Sequence, residues 1–142
     1  MPDDTHGKHI LAIDQSQDVL DLFQTLLEDE GYRVTIQSFV EKDLKAVQAM
    51  APDLIILDYM WEFEDTGWAF LQMVKMNPAT QAIPIVLCTG AVNRVEELSG
   101  HLMKMDVRVV IKPFNLDDLL DAIAAALKTA ATPKSEPASE RT

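Results

Sequence analysis

Pro52-Asp53-Leu54-Ile55-Ile56-Leu57-Asp58 decides the fold. Its apolar centre is too short for a typical helix and does not alternate with polar residues. A short continuous apolar run fits a strand covered on both faces, as in a parallel sheet. Three further runs repeat the pattern, over residues 9–13, 83–87 and 107–111. The run Arg33-Val34-Thr35-Ile36-Gln37 alternates instead, which predicts a half-buried strand at a sheet edge.

Helical patterns lie between these runs. Val19, Leu22, Phe23, Leu26 and Leu27 recur at helical spacing, and Gly31 supplies a stop. Leu44, Val47 and Met50 mark a short second helix that ends near Pro52. Phe70, Leu71 and Val74 mark a third, opened by Gly67 and ended near Pro78. Val95, Leu98 and Leu102 mark a fourth, and Leu116, Leu119, Leu120, Ile123 and Leu127 a fifth. Asn115 with Asp118 three residues later resembles a capping box at the start of the fifth. The order is strand then helix, five times over, which predicts a doubly wound α/β sheet with helices on both faces. Phe23, Phe70 and Met73 read as core residues of these stripes.

The 142 residues suit one domain, and an apolar fraction of 48% can build a real core. We expect a domain over 8–130 and a polar, Pro-containing, disordered tail over 131–142. The net charge of −11 argues against a nucleic-acid footprint, which needs clustered Lys and Arg. No apolar stretch approaches the roughly 20 residues that span a bilayer, and no signal pattern opens the chain, so a cytoplasmic location is expected. The one cysteine, Cys88, sits within an apolar run and reads as a core residue rather than a reactive thiol. His6, His9 and His101 are scattered and read as surface or packing residues, and no spacing suggests a zinc site.

In an open parallel sheet, ligands bind at the carboxyl ends of the strands. There the first strand offers Asp14 and then Gln15, the third Asp58, the fourth Thr89, and the fifth Lys112 and Pro113. Two carboxylates, a hydroxyl and an ammonium thus converge on one rim.

The segments Ile10-Leu11-Ala12-Ile13-Asp14, Pro52 to Asp58, Ile83-Pro84-Ile85-Val86-Leu87-Cys88-Thr89-Gly90-Ala91 and Val110-Ile111-Lys112-Pro113-Phe114 together resemble the receiver domain of bacterial response regulators. The resemblance covers residues 8–129. It implies a CheY-like, flavodoxin-like five-stranded parallel sheet in the order 2-1-3-4-5 with five helices. By the same resemblance Asp58 is the phosphoacceptor. Thr89 hydrogen-bonds the bound phosphoryl group, and Lys112 pairs with its oxygens. Mg²⁺ is held by Asp14, Asp58 and the backbone carbonyl of Met60, with Gln15 a doubtful fourth ligand. Lys112-Pro113 is often a cis bond in such domains. These roles fit phosphoryl transfer, which needs positioning and neutralisation of spreading charge. They also fit a hard cation that keeps several waters.

Three features depart from the pattern. Gln15 stands where a second acid is usual, and an amide oxygen can ligate without carrying charge. Glu62, in an acidic and aromatic loop over 59–66, takes a usual Pro position, and Gly67 just after the loop comes one place late. Glu62 or Glu64 is a candidate to restore the charge missing at Gln15. Val109 replaces the aromatic ring whose inward turn usually accompanies the threonine's movement.

The reading is a stand-alone, Mg²⁺-dependent response regulator receiver, not an enzyme. A histidine kinase or phosphotransfer domain would phosphorylate it. A downstream protein would read it on the face of helix 4, strand 5 and helix 5, with no nucleic acid and no membrane, and a homodimer stays open. Two alternatives stand beside it. One is a pseudo-receiver that acts as an interaction module without phosphorylation. The other is a phosphatase of the haloacid dehalogenase type, which needs a second Asp where Met60 stands.

Overall fold

The computed structural model describes residues 7–39, 43–58, 66–89, 107–111 and 115–131. The elements run β1 (His9–Asp14), α1 (Gln17–Asp29), β2 (Arg33–Gln37), α2 (Leu44–Met50), β3 (Leu54–Asp58), α3 (Thr66–Lys75), β4 (Ile85–Thr89), β5 (Val107–Ile111) and α4 (Leu116–Ala131). The five strands form one parallel sheet in the order β2-β1-β3-β4-β5, as expected. The helix expected around Val95, Leu98 and Leu102 lies outside the described residues, as do the 59–65 part of the acidic loop and the tail beyond Ala131.

The period of two along the strands sorts the core into two layers. Ile10, Ala12, Leu54, Ile56, Val86, Cys88 and Val110 meet Leu20, Phe23 and Leu27 of α1 and Leu119, Ile123 and Leu127 of α4. Leu11, Ile13, Ile55, Leu57, Ile85, Leu87 and Val107 meet Val47 of α2 and Phe70, Leu71 and Val74 of α3. β1, β3 and β4 are therefore covered on both faces, which is why their sequences run apolar without alternation. In β2 the alternating residues Val34 and Ile36 pack half-buried against the first layer, consistent with its edge position.

Local chemistry fixes the helix ends. Ser16 caps α1, its Oγ accepting from the Val19 N–H at 3.3 Å. At the other end Tyr32 N–H donates to the Leu27 carbonyl and Gly31 N–H to that of Glu28. This is the Schellman pairing, with Gly31 at φ 98°, where a side chain would be strained. Asp43 caps α2 through the Lys45 N–H at 2.9 Å. Asn115 Oδ1 accepts from the Asp118 N–H at 2.8 Å, so the expected cap of the last helix is present.

The turn from α3 to β4 is held by two buried polar groups. Thr80 Oγ1 donates to the Val74 carbonyl at 2.7 Å, and Lys75 Nζ donates to the carbonyls of Gln81 and Ile83. Both side chains are buried. Val74 lies in the last turn of α3, where the helix itself offers no donor. Thr80→Val keeps the volume and removes the donor, leaving that carbonyl unsatisfied. We expect a loss of about 1–2 kcal/mol in chemical denaturation, with the fold retained.

Candidate functional site

The carboxyl ends of β1, β3 and β4 carry Asp14, Asp58 and Thr89. Asp14 pairs in register with Asp58, and Asp58 with Cys88, so Thr89 lies one residue beyond that register. Adjacent parallel strands are about 4.8 Å apart, which brings the three positions to one rim. Thr89 in turn pairs in register with Ile111, the residue before Lys112. Lys112 and Met60 lie outside the described residues, and of Asp58 the backbone position is described.

Asp14 is the best-defined member of this group. It is 6% exposed. Its Oδ1 accepts from the Ser16 backbone N–H at 2.7 Å. Its Oδ2 is buried and has no hydrogen-bond partner among the described residues. Burying a carboxylate oxygen without a partner is costly, and a bound cation relieves that cost. Gln15, directly after it, is exposed at the mouth of the rim. Among the described residues no group of three or more His, Cys, Asp or Glu is assembled to hold a metal by itself.

Ser16 is the contributor that sequence reasoning missed. It orients Asp14 through its backbone N–H and caps α1 through its hydroxyl. The signal was present as Asp-x-Ser at a strand-to-helix junction, where Asp accepts from the N–H two residues on. Val109 is half-buried in β5 and packs against the layer of Leu11 and Leu87. It stands where such domains usually carry an aromatic ring, and it is an ordinary packing residue. His9 sits at the opposite end of the sheet. Its ring bridges the Met50 carbonyl at 3.1 Å and Thr35 Oγ1 at 2.7 Å, a packing role as expected. Cys88 is fully buried among the strands.

Compared with known protein families, residues 10–124 match the response regulator receiver domain. The chain belongs to that family. Among curated relatives, the receiver is 26% identical over 125 residues to the DNA-binding response regulator MtrA of Mycolicibacterium smegmatis, covering 88% of this chain and 53% of that protein. It is 30% identical over 120 residues to the transcriptional regulatory protein YvrH of Bacillus subtilis, covering 84% and 48%. The chain thus spans about half the length of the curated relatives it matches. Among solved structures, the receiver resembles the chemotaxis response regulator CheY4 of Vibrio cholerae, with a TM-score of 0.70 and 25% identity over 84% of this chain and 98% of that one. A sensor protein from Polaromonas shares the fold at a TM-score of 0.74 and 19% identity, covering 87% and 98%.

Receiver domains in general bind Mg²⁺ in an acidic pocket, interact with histidine kinases and downstream effectors, and are not enzymes. The donor set of this receiver fits such an ion. Asp14 offers a buried oxygen with no described partner, aligned with a second acid on the next strand. No helix among the described residues is long and apolar enough to cross a membrane.

Proposed function

We propose that this receiver accepts a phosphoryl group on Asp58 from a histidine kinase or a phosphotransfer protein and signals by docking to a protein target. The observation that carries this reading is the buried Asp14, one oxygen of which has no partner among the described residues, in register beside Asp58 and on one rim with Thr89. In the step itself an oxygen of Asp58 attacks phosphorus in line with the leaving imidazole nitrogen. The new P–O bond forms as the P–N bond breaks, and the electron pair stays on the imidazole, which takes up a proton.

Asp14, Asp58 and the Met60 carbonyl would hold Mg²⁺, with Gln15 as a neutral neighbour. When bound, the ion neutralises charge that spreads over the phosphoryl oxygens. Thr89 hydrogen-bonds one of those oxygens from its strand end. Lys112, one residue past the register partner of Thr89, pairs with another. Because Val109 is a packing valine, read-out runs through a shift of the backbone after Thr89 rather than through a turning ring. The target docks on the face expected for the fourth helix, β5 and the last helix. DNA binding belongs by name to the MtrA relatives, and the net charge of −11 opposes carrying it to this domain.

Gln15 and Val109 favour a second reading, an interaction module on the same fold that is never phosphorylated. One experiment separates the two. The chain is incubated with a small acyl phosphate and Mg²⁺ and examined for a mass gain of one phosphoryl group, stable in acid and labile in base. Its absence with every small donor and every partner kinase would leave the interaction module. Steady turnover of phosphate monoesters would point instead to the phosphatase alternative.

A further inference from the structure

We propose that Gln15 makes cation binding in this receiver conditional on the phosphoryl group. The pocket holds a divalent cation weakly on its own, and cation and phosphoryl anion then tighten each other. This coupling presupposes that Asp58 is the acceptor.

The reason lies in the charge that the rim can offer. Asp14 has one carboxylate oxygen committed to the Ser16 N–H at 2.7 Å and one buried oxygen without a described partner. It therefore presents a single oxygen and a single charge. The next residue on the rim is an exposed amide, Gln15. Asp18 is exposed in the first turn of α1, beyond the cap, and Asp21 accepts from Gln17 Nε2 at 2.9 Å. Neither stands at the strand ends. A hard dication needs oxygen ligands and compensating charge. Replacing a neighbouring carboxylate by an amide removes one unit of attraction a few ångströms away, on the order of ten-fold in affinity or more. A phosphoryl group on Asp58 returns negative oxygens to the same rim. Each ligand then raises the affinity of the other by the same factor.

The test titrates Mg²⁺ into the whole chain by calorimetry, with and without beryllofluoride as the phosphoryl mimic. In the parent the mimic should tighten Mg²⁺ by more than about ten-fold. Gln15→Asp should tighten Mg²⁺ alone by about ten-fold and shrink the added effect of the mimic. Gln15→Asn, which carries no charge, should follow the parent. In the absence of metal, Gln15→Asp should also melt lower than the parent, because it places a like charge beside Asp14, and Mg²⁺ should restore the difference.

Equal Mg²⁺ affinity in the parent and Gln15→Asp would overturn the coupling while leaving Asp58 as acceptor. So would tightening in Gln15→Asn, or weaker Mg²⁺ binding in a Glu62→Gln, Glu64→Gln double variant, since the missing charge would then come from the loop. If beryllofluoride binds neither the parent nor Gln15→Asp at any Mg²⁺ concentration, the acceptor reading itself fails, and the coupling with it.

Discussion

Asp58→Asn should abolish the acid-stable, base-labile adduct that we propose the parent chain forms with a small acyl phosphate and Mg²⁺. The expected loss is complete, from stoichiometric labelling to background, because an amide oxygen is not a competent nucleophile towards phosphorus. The substitution keeps the shape of the side chain and removes one of two acids aligned in register at the strand ends. Thermal stability in the absence of metal should therefore not fall, since like charges at neighbouring positions repel. Intact-mass spectrometry and a melting curve on the same sample check both parts. Undiminished labelling of Asp58→Asn would move the acceptor to another residue. A collapsed melting curve would mean that Asp58 holds the fold rather than the phosphoryl group.

The second large effect concerns stability. Ile56 is fully buried in the central strand β3, between Ala12 of β1 and Val86 of β4 in register. It belongs to the layer that packs against α1 and α4. Ile56→Ala removes buried methyl groups from a place closed on every side, where neighbours cannot collapse into the space. The expected cost is about 2–5 kcal/mol in urea denaturation. That is a large share of the roughly 5–15 kcal/mol by which a domain is stable. Val34→Ala in edge strand β2, where the side chain is half-buried, should cost less than half as much. Similar costs at the two positions would contradict the layering described above.

The sheet was largely legible because covering a strand on both faces leaves a direct trace in its sequence. Leu54-Ile55-Ile56-Leu57 has no polar residue to spare for water, and Arg33 to Gln37 does. β5 shows where the rule stops. Val-Arg-Val-Val-Ile reads as another inner strand, yet it forms the second edge, and Ile111 is 39% exposed. An apolar run states what a strand can bury, not what its neighbours will cover. Gly31 announced its helix end because few other residues tolerate that backbone.

The burial of Lys75 was not legible, since lysine is rarely buried without partners. Here the partners are the Gln81 and Ile83 carbonyls, which a sequence pattern does not place. At the rim, Asp14, Asp58 and Thr89 were found by asking what each strand carries at its carboxyl end. The orientation of Asp14 by Ser16 is a backbone contact and leaves only the weak trace of an Asp two residues before a Ser.

The sandwiching of β1, β3 and β4 between two helical layers also sets a clock. Their amides can meet solvent deuterium only when a whole helical layer lifts, so Ile10 to Ile13, Ile55 to Leu57 and Ile85 to Leu87 should exchange last, near the rate of global unfolding. The outer strand β2 should exchange far sooner through local fraying. Residue-resolved deuterium uptake would then trace the sheet order from the centre outward in time, with the strand that carries Asp58 among the last to lose its protons.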